Sequence, residues 1–460
     1  MRLRTQARLP AEGLPRTANT VPVASSYARR MRDGRFEESR SEFGRETPWA
    51  LLLAFASISI ACSSDPVASP SSADATSPAL SDASLDASAV PEVATDAADA
   101  RPTCHNVPPA ADSRRAVVIS HPSATGGAES ARHELFVLEP SGTLTRTGTT
   151  FDLGKSSSTV TFTPDGALGF VALSDGAIGA FSIAADFTIK VIHAHFTGPF
   201  YATNLEVSPH GHSLVVVDSN TIENGGGLYR LAINCDGTLR YEAKIESTSA
   251  AFSVGVFSTA PWSLLVPGRS VADAGSNDDV FLFEISETAA IARDSGTAFS
   301  GTDEIVSALA TTKDGAYVLV ADDSIVAGNR VAVLDAKTFA PVKQLSAEFP
   351  SAIVTSPFNN AALVVSSDTV AKLRIISYDS SKHGGNFTLS GEVKYTLGKP
   401  SLPQRAASLQ RGPLSGRVLV TETTALRQLQ FGSDGSLTDV SITQLGSGAE
   451  NIVGSLGIVP

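Results

Sequence analysis

The stretch LEVSPHGHSLVVVDSN, residues 205–220, sets a Ser-Pro-His-Gly tetrad between two apolar runs. His210 and His212 suggest half of a metal site, and His193 and His195 in IKVIHAHF suggest the other half. The competing reading is a tight turn joining two buried strands. Proline presets one turn angle, glycine accepts a positive φ, and Leu214–Asp218 has the length and branching of a strand. The rest of the chain decides for the turn. TPDG (163–166), TKDG (312–315) and SPFN (356–359) hold the same place ahead of similar runs, so His210 stands where Asp165 and Asp314 stand. Two histidines at i and i+2 on a strand share a face and offer two ligands, whereas zinc takes three or four. The 210/212 pair belongs to a turn on one face of the domain. The 193/195 pair belongs to an outer strand rising toward the opposite face. No metal is expected.

Outward from this stretch, one unit repeats. Short apolar runs occur at AVVIS (116–120), GFVAL (169–173), LVVVD (214–218), LLVPG (264–268), YVLVA (317–321), ALVVS (362–366) and VLVTE (418–422), spaced 45 to 56 residues apart. Each precedes a second run, such as ELFVLEP (134–140), GLYRLAI (227–233) or RVAVLDA (330–336), and several of these lead to another turn: PSGTL (140–144), CDGTL (235–239), SDGSL (433–437). Strand, turn, strand, loop, strand, turn, strand is a four-stranded antiparallel meander. Seven of them read as an all-β, seven-bladed β-propeller. The first unit lacks its innermost strand, while the chain ends in a spare one, NIVGSLGIVP (451–460). The C-terminal strand, within residues 450–459, should therefore complete the first blade and close the ring.

Composition agrees. Aromatic residues are 7% and charged residues 18% of the 460, with 37 glycines. No long stretch repeats apolar residues at helical spacing. The net charge is −12. The first 47 residues hold ten Arg against six Asp and Glu, so the remainder is more acidic still. Such a surface repels phosphate backbones, and nucleic-acid binding is excluded.

The N-terminus carries an address. Residues 48–62 read PWALLLAFASISIAC. The uncharged run is short for a membrane span and suits a signal-peptide core. Ser59-Ile60-Ala61-Cys62 resembles a bacterial lipobox, with Ser59 where leucine is usual. That resemblance implies cleavage before Cys62, lipidation of Cys62 and attachment to the membrane through the lipid. Residues 1–61 are then leader and signal peptide, with Met31 as an alternative start. Residues 62–111 are dominated by Ser, Ala, Asp and Pro and should form a disordered tether. Residues 112–460 are the propeller. Cys104 and Cys235 remain as candidates to pair in an oxidising envelope; the sequence does not show that they meet.

The repeats, with their DGTL-type turns, resemble the lactonase-like propellers: 6-phosphogluconolactonase-like and muconate-cycloisomerase-like enzymes, shading into surface propellers with YVTN-type repeats. The resemblance implies a site at the propeller mouth. Those enzymes tend to show H-x-H-x-x-x-x-SPDG before a strand and DLG. Here Tyr201 and Thr203 take the histidine places, and Asp218 is followed by Ser219-Asn220.

The mouth should gather Asn204, Glu304, Arg405 and Glu450 from loops entering the inner strands, and His121, Asp218, Arg269 and Asp322 from loops leaving the second strands. There is no G-x-S-x-G elbow, no H-E-x-x-H and no phosphate-binding glycine pattern. The expectation is a monomeric, cofactor-free, lipid-anchored binding module of the bacterial cell envelope, on the outer membrane or the periplasmic face. It would engage an envelope protein or a carbohydrate. The alternative is a lactonase-like hydrolase or isomerase acting on a sugar or organic-acid lactone with Glu304, Arg405, Glu450 and Asn204 as candidates.

Overall fold

A computed structural model describes residues 104–110, 112–122, 132–220, 226–246, 306–322, 329–367, 372–379, 381–382, 384–446 and 453–460, and the backbone of strands within 249–294. Residues 1–100 and 101–460 form separate units, and all described residues belong to the second. The expected leader, Met31, Cys62 and most of the tether lie outside the described residues, as do Glu304, Glu450 and the side chain of Arg269.

The unit is all-β among its described residues, a propeller of antiparallel sheets. In order from channel to rim, sheet 1 holds Ser455–Ile458, Arg115–His121, Arg132–Leu138 and Leu144–Asp152. Sheet 2 holds Ser157–Phe162, Leu168–Leu173, Ile178–Ile183 and Ile189–Phe196. Sheet 3 holds Asn204–Val207, Ser213–Asp218, Gly227–Ile233 and Leu239–Glu246. Sheets 5, 6 and 7 repeat the pattern, starting at Val306, Pro350 and Ala406.

These are six four-stranded blades, not the seven equal ones expected. The fourth repeat forms a five-stranded sheet instead. Its innermost element is broken into Ser249–Ala251 and Gly255–Phe257, both paired with Ser263–Ser270. The two pairings leave Val266 and Pro267 between them. Proline has no N–H to give a ladder, and a strand carrying one is prone to interruption there.

The second strands explain why the short runs are so apolar. Leu214 and Val216 face sheet 2, where they join Phe170, Ala180 and Tyr229 in one core; Val215 and Val217 point to the other side and are equally buried. Strands buried on both faces read as continuous apolar runs rather than alternating ones. The same packing joins sheet 1 to sheet 2, sheet 5 to sheet 6, sheet 6 to sheet 7, and sheet 7 to sheet 1.

The ring closes as the sequence implied. Val117, Val118, Ile119 and Ser120 pair with Ile458, Gly457, Leu456 and Ser455. Side chains reinforce the seam. Ser455 Oγ donates to Ser120 Oγ at 2.8 Å and shares a 2.7 Å bond with Ser157 Oγ of sheet 2. Gly457 lets the strand press against Val160 and Phe162.

Candidate functional site

In sheets 2, 3 and 5 the inner strand runs from one end of the channel, the mouth, to a tight turn on the opposite face. The turns repeat closely: Gly166, Gly211 and Gly315 have φ of 71°, 75° and 67°. Their N–H groups donate to Thr163, Ser208 and Thr312 carbonyls at 2.8 to 2.9 Å. SPHG is thus a turn, with His210 in the Asp165 and Asp314 place. The His210 and His212 rings stack on each other, 5.9 Å apart. His195 pairs with Asp175 at 2.9 Å. Strand register shifts on both sides of His193, so 193 and 195 do not share a face as i, i+2 spacing implies. Among the described residues, no group of three or more His, Cys, Asp or Glu is set to hold a metal ion.

Among the described residues toward the mouth, several charged side chains bond one another. In sheet 7, Arg427 is fully buried. It bonds Glu422, Asp439 at 2.8 Å and the Gly398 carbonyl at 2.9 Å. Glu422 and Asp439 then take backbone N–H groups of Ser401, Thr396 and Leu397. The ion cluster thereby fixes the loop that leads to Arg405. Sheet 1 carries the same device with signs inverted: Glu134, 1% exposed, accepts from His121 at 3.0 Å and from both Nε and Nη2 of Arg146. Burial alone would raise the Glu134 carboxyl, but the bonds from His121 and Arg146 outweigh it and hold it near 2. Arg146 also donates to the Leu445 carbonyl at 3.0 Å, tying sheet 1 to the end of sheet 7.

The other candidates are similarly committed. Asp322 pairs with Arg330 at 3.0 Å. Asp218 accepts from the N–H groups of Tyr201 at 2.9 Å and Asn220 at 2.8 Å. Asn204 Oδ1 accepts from Leu205 N, and Arg405 bonds through its backbone to Thr421. Asn204 opens the inner strand of sheet 3, and Arg405 immediately precedes the inner strand Ala406–Ser408 of sheet 7. Tyr201 and Thr203 serve the seam between sheets 2 and 3. The Tyr201 phenol donates to Ser174 O at 2.5 Å and its ring covers Gly176; Thr203 Oγ1 donates to Val217 O.

Two residues that the motif reading passed over stand out. His133 is fully buried against Phe151, with Nε2 3.3 Å from Ser157 Oγ and Nδ1 unpartnered among the described residues. Burial, assisted by His121 and partly offset by Asp152, pushes it down to about 4, so it is neutral at pH 7. Glu206 sits on the inner strand of sheet 3. Leu205 and Val207 turn into the core shared with sheet 2, so Asn204 and Glu206 project from the other face. Among the described residues, no hydrogen-bonding or charged partner is shown for the Glu206 carboxyl, and burial raises it to about 8. The signal was a charge in a four-residue strand whose neighbours are apolar, NLEV.

No family model matches the chain, and no curated protein does. Similarity appears among solved structures. A putative 6-phosphogluconolactonase from Bacteroides fragilis is 16% identical, with 77% of this chain and 100% of that one covered and a TM-score of 0.53. A putative 6-phosphogluconolactonase from Bacteroides uniformis is 13% identical over 75% and 100%, TM-score 0.54. The periplasmic gluconolactonase of Pseudomonas aeruginosa is 15% identical over 76% and 99%, TM-score 0.53. At these identities the likeness is one of fold: the chain is a β-propeller with lactonase-like structural neighbours.

Proposed function

We propose that this protein is a lipid-anchored cell-envelope propeller that works as a binding or interaction module. The lipid sits on Cys62, residues 63–103 serve as tether, and the five-stranded sheet takes the seventh blade position. The observation that carries the reading is the state of the mouth. Among the described residues, Glu134, Asp322, Glu422 and Asp439 are each tied to a cation, and Asp218 caps backbone, so these five acids are committed to structure. Acids held in ion pairs and backbone caps suit recognition of an envelope protein or carbohydrate by a monomer better than acid–base chemistry.

One observation favours the lactonase-like alternative. Glu206 has no described partner and a raised pKa of about 8. An acid held protonated at neutral pH could donate to a lactone oxygen as the ring opens. A lactone-hydrolysis screen of the full chain, with Glu206→Gln beside it, separates the two. Turnover that falls above pH 8 and is lost in the variant makes the protein an enzyme. No turnover from folded protein supports the module. Anchoring is read separately by detergent-phase partitioning: the chain should enter the detergent phase and Cys62→Ala should not.

A further inference from the structure

The segment just before the first blade does not hang free of the propeller. Cys104 and Cys235 form a disulfide, Cα atoms 5.6 Å apart, joining residues 131 positions apart. Beside it, His105 reaches two turns at once: Nδ1 lies 2.7 Å from Asp165 Oδ2 and Nε2 lies 2.8 Å from the Cys235 carbonyl. The His105 carbonyl rests on Gly211, where a Cβ would lie 2.5 Å away. This is a built seat for two residues, on the face opposite the mouth.

Beyond that seat the attachment is thin. Val107 is 72% exposed, and the next described side-chain ties are Ser113 and Arg115 holding the Ala110 carbonyl at 2.7 and 3.0 Å. His105 itself has a φ of 68°, a strained angle for a residue with a side chain. The turn carrying Cys235 is exposed and holds itself together: Asn234 N bonds Thr238 O, Gly237 N bonds Asn234 O, and Asp236 caps Thr238. It needs no disulfide to keep its shape.

We propose that Cys104–Cys235 is a redox latch for this N-terminal strap rather than a structural staple of the propeller. A disulfide whose Cys235 end is exposed, between a self-supporting turn and a strained, thinly attached segment, is of the labile kind. The co-reactant is a dithiol oxidoreductase. Its thiolate attacks Sγ of Cys235, the Cys104–Cys235 bond breaks, and Cys104 leaves as a thiolate that takes a proton. The second thiol then resolves the mixed disulfide, leaving the Cys235 thiol and an oxidised partner. Two electrons pass to the protein, and the strap loses its covalent tie to sheet 3 while the His105 bonds remain. The groups facing His105 are Asp165 from sheet 2 and Cys235 and Gly211 from sheet 3, with Asp236, His210 and His212 on the same sheet 3 turns.

The test is limited trypsin digestion of the Cys62→Ala full chain, oxidised and after mild dithiothreitol treatment without denaturant. Cleavage after Arg114 should rise roughly tenfold on reduction while the rest of the propeller resists, because cutting follows the open population. The Cys235→Ser variant should behave as reduced protein under oxidising conditions. His105→Gln should open further only once reduced. The latch is overturned if the bond resists reduction until the protein is denatured, if core and strap are digested together, or if cleavage is the same in both states.

Discussion

At the scale of single residues, the acids of this propeller divide by their partners. Glu134 is buried and Glu206 half-buried, yet one is pushed to about 2 and the other to about 8. The difference is that His121 and Arg146 surround the first, and no described group answers the second. The consequence for stability has opposite signs. Glu134 is depressed from 4.5, so its contribution is present above that value and disappears as pH falls toward 2. Glu206 is raised, so it is harmless at low pH and costs stability as pH climbs through 8. A depression of this size corresponds to on the order of 3 kcal/mol. Glu134→Gln should therefore lower Tm at pH 7 by roughly 5 °C and flatten its fall between pH 4.5 and 3. Thermal scans across that range check it; an unchanged acid limb would remove Glu134 from the account. Little of this was legible beforehand. Motif reading looks for charges in loops, and Glu134, Glu206 and Arg427 sit inside strands, where only a polar residue interrupting an apolar run marks them.

At the scale of the element, three inner strands share one defect. Strand pairing skips Ser158, Ser307 and Ser351, each an extra residue against the second strand. A bulge leaves ladder groups unmatched, and the serine hydroxyl answers them. Ser158 donates to Thr203 O at 2.9 Å on the next sheet, Ser307 to Pro350 O on the next, and Ser351 to Val365 O at 3.3 Å across its own ladder. In the first two cases the bulge becomes a tie between neighbouring blades. Ser158→Ala should cost about 1 kcal/mol, measured by urea denaturation, because the Thr203 carbonyl then loses its partner. Ser182→Ala, whose hydroxyl makes only a 3.5 Å bond near the rim, should cost no more than a few tenths. Equal losses would sink the argument. The strands themselves were readable from the repeats because turn glycines and doubly buried runs are local signals. The bulges were not, since a register shift depends on the facing strand.

At the scale of the whole molecule, the ring is a chain of interfaces that becomes a closed object only when its ends meet. Sequence phase revealed that closure: a missing first strand and a surplus last one. The unequal fourth sheet escaped it, because LLVPG reads as one more apolar run while its proline acts on the neighbouring strand. Closure depends on few residues. Ser455–Ile458 supplies the inner strand of sheet 1, and Leu456 and Ile458 pack beside Val117 and Ile119. Ser455 links Ser120 to Ser157, and Val459 fills the space over the Gly166 turn. Removing residues 455–460 would expose the ladder edge of Arg115–His121 and open the cores on both sides of sheet 1 at once. An edge strand with unpaired N–H and C=O groups also invites pairing between chains. The truncated chain should lose its single cooperative melting transition and aggregate on warming. A synthetic peptide of residues 451–460, added in excess, should restore part of the transition by binding the folded form. If the truncated chain melts at the wild-type temperature without the peptide, the C-terminal strand is an ornament of a ring already closed by its other contacts, and closure by Ser455–Ile458 does not hold this fold together.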